Sequence, residues 1–448
     1  MRRIPLLGLS DPAAPIAWRN GAPITAGELM GDARWLAERL PARGFQINLC
    51  EDRYHFLTAL LAAMLRGQAL LLPPGRARGD LLPLRRRHSS VYCLTDTVAD
   101  YGDMELMRFS GSPGNLNNRP EELSAAGDLV AAELYTSGST GTATPHTKSW
   151  EMLLQGAQLT GTRLGLERLR GASVVATVPP QHMYGLEMSV FLPLYWGLAV
   201  SAHRPLFAAD IAAAFEGMPQ PRILITTPLQ LRNCIAENAE LPPLELVLSA
   251  TAPLSRELAR QAEQRFRTRV LEVYGSTETG AVASRRTADD GSWSPLPGVS
   301  IERRGRRWWL TAAHLPEAIP LNDAIRLQPD GRFELLGRDA DLIKIAGKRA
   351  SLADLNRKLL GIDGVEDGVF FLPDNDSGAT ARLICFVRAP GVAEEAITAA
   401  LRQLLDPAFL PRPLFRVAEL PRNDTGKLPR QALLRLFAAC SREPLPEP

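Results

Sequence analysis

Ser137, Gly138, Ser139, Thr140, Gly141 and Thr142 follow one another directly after Tyr135-Thr136. Glycine lets a backbone turn tightly and approach an anion with no Cβ in the way. Serine and threonine hydroxyls donate to phosphate oxygens without adding charge. An apolar run at 129–134 precedes the loop, and a helical pattern begins near Ser149. The expected layout is strand, loop, helix, which aims backbone N–H groups at a phosphate. Alone, the segment is equally readable as a solvated Ser/Gly loop. It lacks the Gly-Lys-Ser/Thr ending of a lysine-bearing phosphate loop, because Ala143-Thr144 follow. A compensating positive charge has to come from elsewhere.

Further clusters could supply the rest of a nucleotide chemistry. In PPQHMYGL (179–186), His182, Tyr184 and Gly185 could line a substrate pocket. Ser249-Ala250-Thr251 follows an apolar strand pattern. In VYGSTETG (273–280), Tyr274 could stack on a base, with Gly275, Ser276 and Thr277 beside the phosphates. Glu278 in the same motif could hold magnesium, a hard cation that prefers oxygen. Asp323 could accept both ribose hydroxyls, and Arg338 could bridge ribose and phosphate. LPRNDTGKLPR (420–430) places Lys427 on a Gly-Lys turn. Each cluster alone reads as an ordinary surface turn; together and in this order they point to ATP. Lysine is scarce here: the chain has Lys148, Lys344, Lys348, Lys358 and Lys427, and the rest of its 51 basic residues are arginine. Four of these lysines fall in or beside the motifs. Ammonium is a compact point charge, unlike guanidinium, so the placement is informative.

The elements that must carry these residues follow from periodicity. Residues 25–40, 53–66 and 149–164 have apolar positions at helical spacing. Short β-rich runs recur at 69–72, 91–94, 172–178, 198–202, 222–227, 244–250 and 269–274, with helical segments between several of them. Alternating strands and helices imply an α/β fold with parallel sheets covered on both faces. In such sheets ligands bind at the carboxyl ends of strands, where Ser249 and Tyr274–Glu278 fall. From 280 to 336 the pattern is β-rich, implying a β-subdomain. Beyond Arg338 strands and helices restart as a compact α+β unit. The expected domains are residues 1–337 and a smaller unit, 338–448.

At 448 residues more than one core is required. A net charge of +2 gives no reason to expect nucleic acid. The basic runs at 85–87 and 303–307 read as solvated faces. Five scattered cysteines without paired spacing argue against a disulfide framework or a zinc site and fit a reducing cytoplasm. The start, MRRIPLLGLSDP, has too short an apolar core for a signal peptide. The longest apolar stretch, 59–74, is broken by Arg66, Gly67 and Gln68, so no membrane span is expected.

Taken together, residues 130–430 resemble the adenylate-forming ligases: acyl-CoA synthetases, aryl-acid ligases, luciferases and nonribosomal adenylation domains. The resemblance implies a large N-terminal domain for ATP and a carboxylic acid, and a small, mobile C-terminal lid. It implies that Ser137–Thr142 hold the ATP phosphates, with Thr140 catalytic among them. Tyr274 would stack on adenine beside Ser249–Thr251, Glu278 would bind Mg2+, Asp323 the ribose, and Arg338 ribose and phosphate. Lys427, brought by the lid, would bridge the carboxylate and the α-phosphate. The second step, thiol attack on the acyl adenylate, would use another face of the lid, with Lys348 near the thiol channel. There are departures from the family pattern. Ala143-Thr144 replace the usual Pro-Lys, and the sequence leaves open whether Lys148 substitutes. Ala340 stands at the usual hinge position, and Asn322 replaces a glycine. The run PHTKSW (145–150) and the short length are most similar to stand-alone ligases of aryl-polyene and xanthomonadin-type pigment clusters. Those load a hydroxybenzoate-like acid onto an acyl carrier protein. The sequence shows no Gly-Gly-x-Ser carrier site, so the acceptor is expected in trans: a carrier protein, or coenzyme A in an acyl- or aryl-CoA synthetase. A nucleotide-binding protein that has lost catalysis is the alternative from another class.

Overall fold

Strands Ala69–Leu72, Ser173–Ala176 and Leu246–Ser249 are buried at every position. Strands buried on both faces belong to parallel sheets wrapped by helices, and two such sheets form here. The computed structural model describes residues 2–98, 101–102, 104–112, 123–136, 144–289, 291–305, 307–338, 342–345, 348–373, 382–423 and 426–441. A six-stranded sheet runs in the order Thr144–Ser149, Val130–Thr136, Ala69–Leu72, Phe45–Asn48, Val91–Thr95, Leu106–Arg108. A nine-stranded sheet runs Ser294–Pro295, Gly280–Arg285, Arg269–Ser276, Leu246–Ser249, Arg222–Thr226, Ser173–Ala176, Ala199–Ser201, Pro15–Arg19, Ala22–Thr25. Its six central strands, from Arg269–Ser276 to Pro15–Arg19, are parallel. Together with the helices, this is the expected α/β class.

Helix Arg53–Leu65 joins the two sheets, touching Phe45–Asn48 and Ala69–Leu72 on one side and Ala199–Ser201 on the other. It is buried from Arg53 to Met64, as a helix apolar on all faces must be. Its one buried charge is at the start. The Arg53 guanidinium donates to the carbonyls of Ala176 and Val178, each at 2.9 Å, and to the Ser189 hydroxyl. Burial pulls the Arg53 pKa down to about 9, helped by Arg204, so the group stays charged at neutral pH. A fully charged donor thereby caps the carboxyl end of strand Ser173–Ala176, where the chain turns into the His182 segment.

The β-rich region forms a three-stranded sheet, Ser300–Arg304, Arg307–Thr311 and Ile319–Pro320, and a hairpin, Asp323–Leu327 with Phe333–Arg338. After residue 342 the apolar side chains pack among themselves. Ile343, Leu355, Leu359, Phe370, Ile397 and Leu401 share one core, and Phe371, Phe386, Leu420 and Leu433 a second on the other face of a three-stranded sheet. That sheet is Asp367–Phe371, Ile384–Arg388 and Leu414–Arg416. Among the described residues no helix is long and apolar enough to cross a membrane.

One expectation about the phosphate loop is overturned. Residues Thr144–Ser149 form a strand, antiparallel to Val130–Thr136, so the layout is strand, loop, strand and only then helix. Thr144 and Thr136 are register partners at the end of this pairing. Thr144, Thr147 and Pro145 favour an extended edge strand over a helix start. Ser149 does cap the next helix, Trp150–Leu164, accepting from the Met152 N–H, as its sequence position predicts.

Candidate active site

The site assembles at the carboxyl ends of the central strands. After Leu246–Ser249 the chain turns through Ala250 and Thr251. Thr251 holds a φ of +77°, a conformation rare for a β-branched residue. Ser249 Oγ and Thr251 Oγ1 are both buried without a hydrogen-bond partner. Buried hydroxyls without a partner are uncommon and call for an explanation, a bound polar ligand among them. Tyr184 Oη lies 3.2 Å from the Thr226 carbonyl and 3.0 Å from that of Leu248, closing the ends of two adjacent strands. His182 starts the short helix Met183–Leu186 with its ring half-buried. A Cβ at Gly185 would lie 2.0 Å from the Pro179 carbonyl oxygen, so only glycine permits this close turn.

Tyr274 comes next along the sheet edge. A bulge between Tyr274 and Gly275 interrupts its pairing with Gly280–Arg285, and bulges re-aim side chains beside active sites. Its ring packs on Trp293 and Phe333, at 5.4 and 5.8 Å between centroids. Its hydroxyl donates to Asp323 Oδ2 at 2.6 Å. Asp323 faces Arg338 directly across its hairpin. Three residues from separate motifs are thus brought together by two hairpins.

The Glu278 loop is fixed mainly through its backbone. Ser276 N–H donates to Thr279 Oγ1 at 3.1 Å, and Thr279 N–H returns a bond to Ser276 Oγ at 3.2 Å. The Glu278 carboxylate is half-exposed, with His146 Nε2 3.8 Å away. Burial would raise its pKa, but the Ser276 hydroxyl, its own backbone N–H, His146 and Lys148 outweigh that and hold it below the ordinary carboxylate value. A charged, partly open carboxylate on a rigid loop suits a hard divalent cation, and the orphaned hydroxyls and the phenol suit a nucleoside. No group of three or more His, Cys, Asp or Glu side chains suited to a metal occurs among the described residues. A magnesium ion here would take Glu278 with phosphate and water oxygens, its usual manner of binding.

Behind this loop lie Lys148, which the sequence raised as a possible substitute for the missing loop lysine, and two groups it did not single out, Glu187 and His314. Lys148 is buried, and its ammonium donates to the Glu278 carbonyl at 2.6 Å. Burial lowers its pKa, partly offset by Glu187 and Glu278. Glu187, also buried, lies in a π-helical turn, Glu187–Phe191, and accepts the Ala281 N–H. Burial raises the Glu187 pKa, against the pull of Lys148 and of that N–H. His314 Nε2 sits 2.9 Å from the Thr279 carbonyl. Two signals were available: His146 and Lys148 stand two apart in a strand, hence on one face, and Glu187 is a lone acid in an apolar stretch.

The loop residues Ser137, Gly138, Ser139, Thr140, Gly141 and Thr142 lie outside the described residues, as do Ala340 and the Arg338 side chain. Lys427 is exposed on a turn. Its N–H donates to Asn423 Oδ1 at 2.9 Å, and Gly426 supplies the positive φ of +76° that the turn needs. Lys348 pairs with Asp406 at 2.6 Å on the surface.

Comparison with known proteins decides the family. Residues 49–302, more than half of the chain, match the model of the AMP-binding enzymes. The chain belongs to the AMP-binding enzyme family. Within this adenylate-forming group it is 30% identical to a 4-coumarate–CoA ligase of Cereibacter sphaeroides, over 65% of this chain and 69% of that one. Its fold is that of the O-succinylbenzoate coenzyme A synthetase of Bacillus subtilis in complex with AMP, with a TM-score of 0.80 at 18% identity, covering 96% and 98% of the two chains. The anthranilate CoA ligase AuaEII in complex with anthranoyl-AMP gives a TM-score of 0.80 at 16% identity, over 96% and 94%.

Proposed function

We propose that this AMP-binding enzyme activates an aromatic carboxylic acid, of hydroxybenzoate type, with ATP and passes the acyl group to a phosphopantetheine thiol. In the first step a carboxylate oxygen bonds to the α-phosphorus and pyrophosphate leaves. In the second the thiol sulfur attacks the acyl carbon and AMP leaves. The observation that carries this reading is the convergence of Tyr274, Asp323 and the unpartnered Ser249 and Thr251 hydroxyls at one sheet edge, beside Glu278. Tyr274 would face adenine with the ring side opposite its aromatic neighbours. Asp323 and Arg338 would hold the ribose, and Ser137–Thr142, with Gly275, Ser276 and Thr277, the phosphates. Glu278 would hold magnesium, which offsets charge on the phosphates when bound. Lys427 would orient the attacking carboxylate and stabilise charge developing at the α-phosphate. His182, Tyr184 and Gly185 would border the acid. Residues 1–337 would form the body and 338–448 a lid that turns between steps, in a cytoplasmic enzyme.

For the acceptor, the run 145–150 supports an acyl carrier protein acting in trans. Free coenzyme A is the second reading, favoured by the relative named a 4-coumarate–CoA ligase. Acid-dependent exchange of pyrophosphate into ATP tests the first step without any acceptor. Exchange with hydroxybenzoates or cinnamates is expected; exchange with fatty acids alone would refute the aryl assignment, and none with any acid would refute adenylation. Product formation with a phosphopantetheinylated carrier against free coenzyme A then decides the acceptor.

A further inference from the structure

Lys148 is only 4% exposed, and its ammonium is spent on the backbone of the Glu278 loop. Three separate elements grip that loop at neighbouring positions. Lys148, from edge strand Thr144–Ser149, binds the carbonyl of residue 278. His314 lies against the carbonyl of residue 279. Glu187, from the π-helical turn, receives the N–H of residue 281 on both carboxylate oxygens, at 3.2 and 3.0 Å. Gly280 completes the arrangement. Its φ is +68°, and a Cβ there would come within 2.4 Å of Glu187 Oε1.

Burying a lysine and a glutamate is costly, and a well-packed apolar pair is often no less stable. The cost makes sense if the pair holds something in place. π-Helical turns, rare in general, cluster at functional sites. Strand Thr144–Ser149 follows the Gly-rich segment in the sequence, and Lys148 near its end binds the loop of Glu278. We propose that Lys148 and Glu187 are positioning residues that fix the Glu278 carboxylate for the magnesium bound to the ATP phosphates. Lys148 does this in place of touching phosphate itself. The inference rests on the reading of Glu278 as the magnesium ligand.

Calorimetric titration with ATP, with magnesium or with a chelator and with no acid present, reads this without turnover. Lys148→Met and the double variant Lys148→Met/Glu187→Gln are compared with Glu278→Gln. The double variant removes the pair without stranding one buried charge. Outer-shell changes cost about 10–100-fold in metal affinity, and that loss is expected for magnesium–ATP in both Lys148 variants. Affinity for metal-free ATP is expected to hold within about twofold, and Lys148→Met is expected to add little to Glu278→Gln, because coupled groups are not additive. Equal losses with and without magnesium, full additivity, or wild-type binding by Lys148→Met would overturn the proposal. If Glu278→Gln abolishes the magnesium preference and Lys148→Met does not, the positioning role alone falls. If Glu278→Gln leaves the preference intact, the assignment of Glu278 fails and takes this inference with it.

Discussion

Replacing Arg422 with methionine tests whether the C-terminal unit delivers Lys427 as proposed. The Arg422 guanidinium donates to both oxygens of Asp367, Nε to Oδ2 at 2.8 Å and Nη2 to Oδ1 at 2.6 Å. Its remaining nitrogen donates to the Gly426 carbonyl at 2.5 Å, next to Lys427. One side chain therefore ties strand Asp367–Phe371 to the Lys427 turn. Breaking a buried pair by removing one partner costs about 3–5 kcal/mol. Two features reduce that figure: the Arg422 side chain is 18% exposed, and Arg232 faces the same carboxylate. A loss of about 2–3 kcal/mol follows, somewhat under that range. In a unit of roughly 100 residues each kcal/mol moves the melting point by about 4–8 °C, so the transition of the C-terminal unit should fall by about 10–20 °C in calorimetry. Misplacing a catalytic group by ~1 Å can cost up to about 100-fold, so pyrophosphate exchange should drop by about 10–100-fold below the new transition. Transfer from a preformed acyl adenylate to the thiol should change little, because the proposed role of Lys427 is confined to the first step. Equal decline of both half-reactions would make Arg422 purely structural. An unshifted transition would refute the energetic argument itself.

Gly280→Ala should destabilise the body by at least about 1–2 kcal/mol in urea titrations, from the left-handed backbone alone, and weaken magnesium dependence by displacing Glu187; unchanged stability would contradict the close contact. Tyr274→Phe should lose about 1–2 kcal/mol of stability with the bond to Asp323, while ATP affinity holds or rises because the carboxylate need not exchange a phenol for ribose; a large fall in affinity would show that the hydroxyl itself binds nucleotide. Burial lowers the pKa values of His88, His146 and His314. At these sites the unfolded chain binds protons near pH 6.5 before the folded one does, so in a Glu187→Gln background, which removes a raised carboxyl of opposite sign, stability should be full above that value and decline as pH falls through 6.5 towards the folded values. Denaturant titrations at pH 7.5 and 5.5 check this, and equal midpoints would refute it.

Parallel strands were readable because buried runs such as ALLL at 69–72 have no polar face to offer. Tyr274, Asp323 and Glu278 stood out in sequence because each sits in a short motif whose residue types suit one ligand, and the structure brings Tyr274 and Asp323 into contact. Strand Thr144–Ser149 was missed because a six-residue edge strand directly before a well-capped helix merges with it in sequence. The contact that Lys148 makes, and Glu187 and His314 altogether, were missed for a deeper reason. Their significance is a meeting of three distant segments around one backbone loop, and no local pattern records which carbonyl a buried side chain will find.

Strand Pro15–Arg19 closes the nine-stranded sheet by pairing with Ala199–Ser201, far along the chain. During synthesis this early strand must wait on the ribosome until its distant neighbour emerges. Pairings so remote in sequence form slowly, and a waiting strand is an open edge for other chains. The two halves of the body are therefore not separable at the gene level. A fragment starting near residue 150 would lack the hairpin of Pro15–Arg19 and Ala22–Thr25 and would expose Ala199–Ser201 as a raw edge prone to self-association. A peptide of residues 10–30 added in trans should cap that edge and keep the fragment in solution.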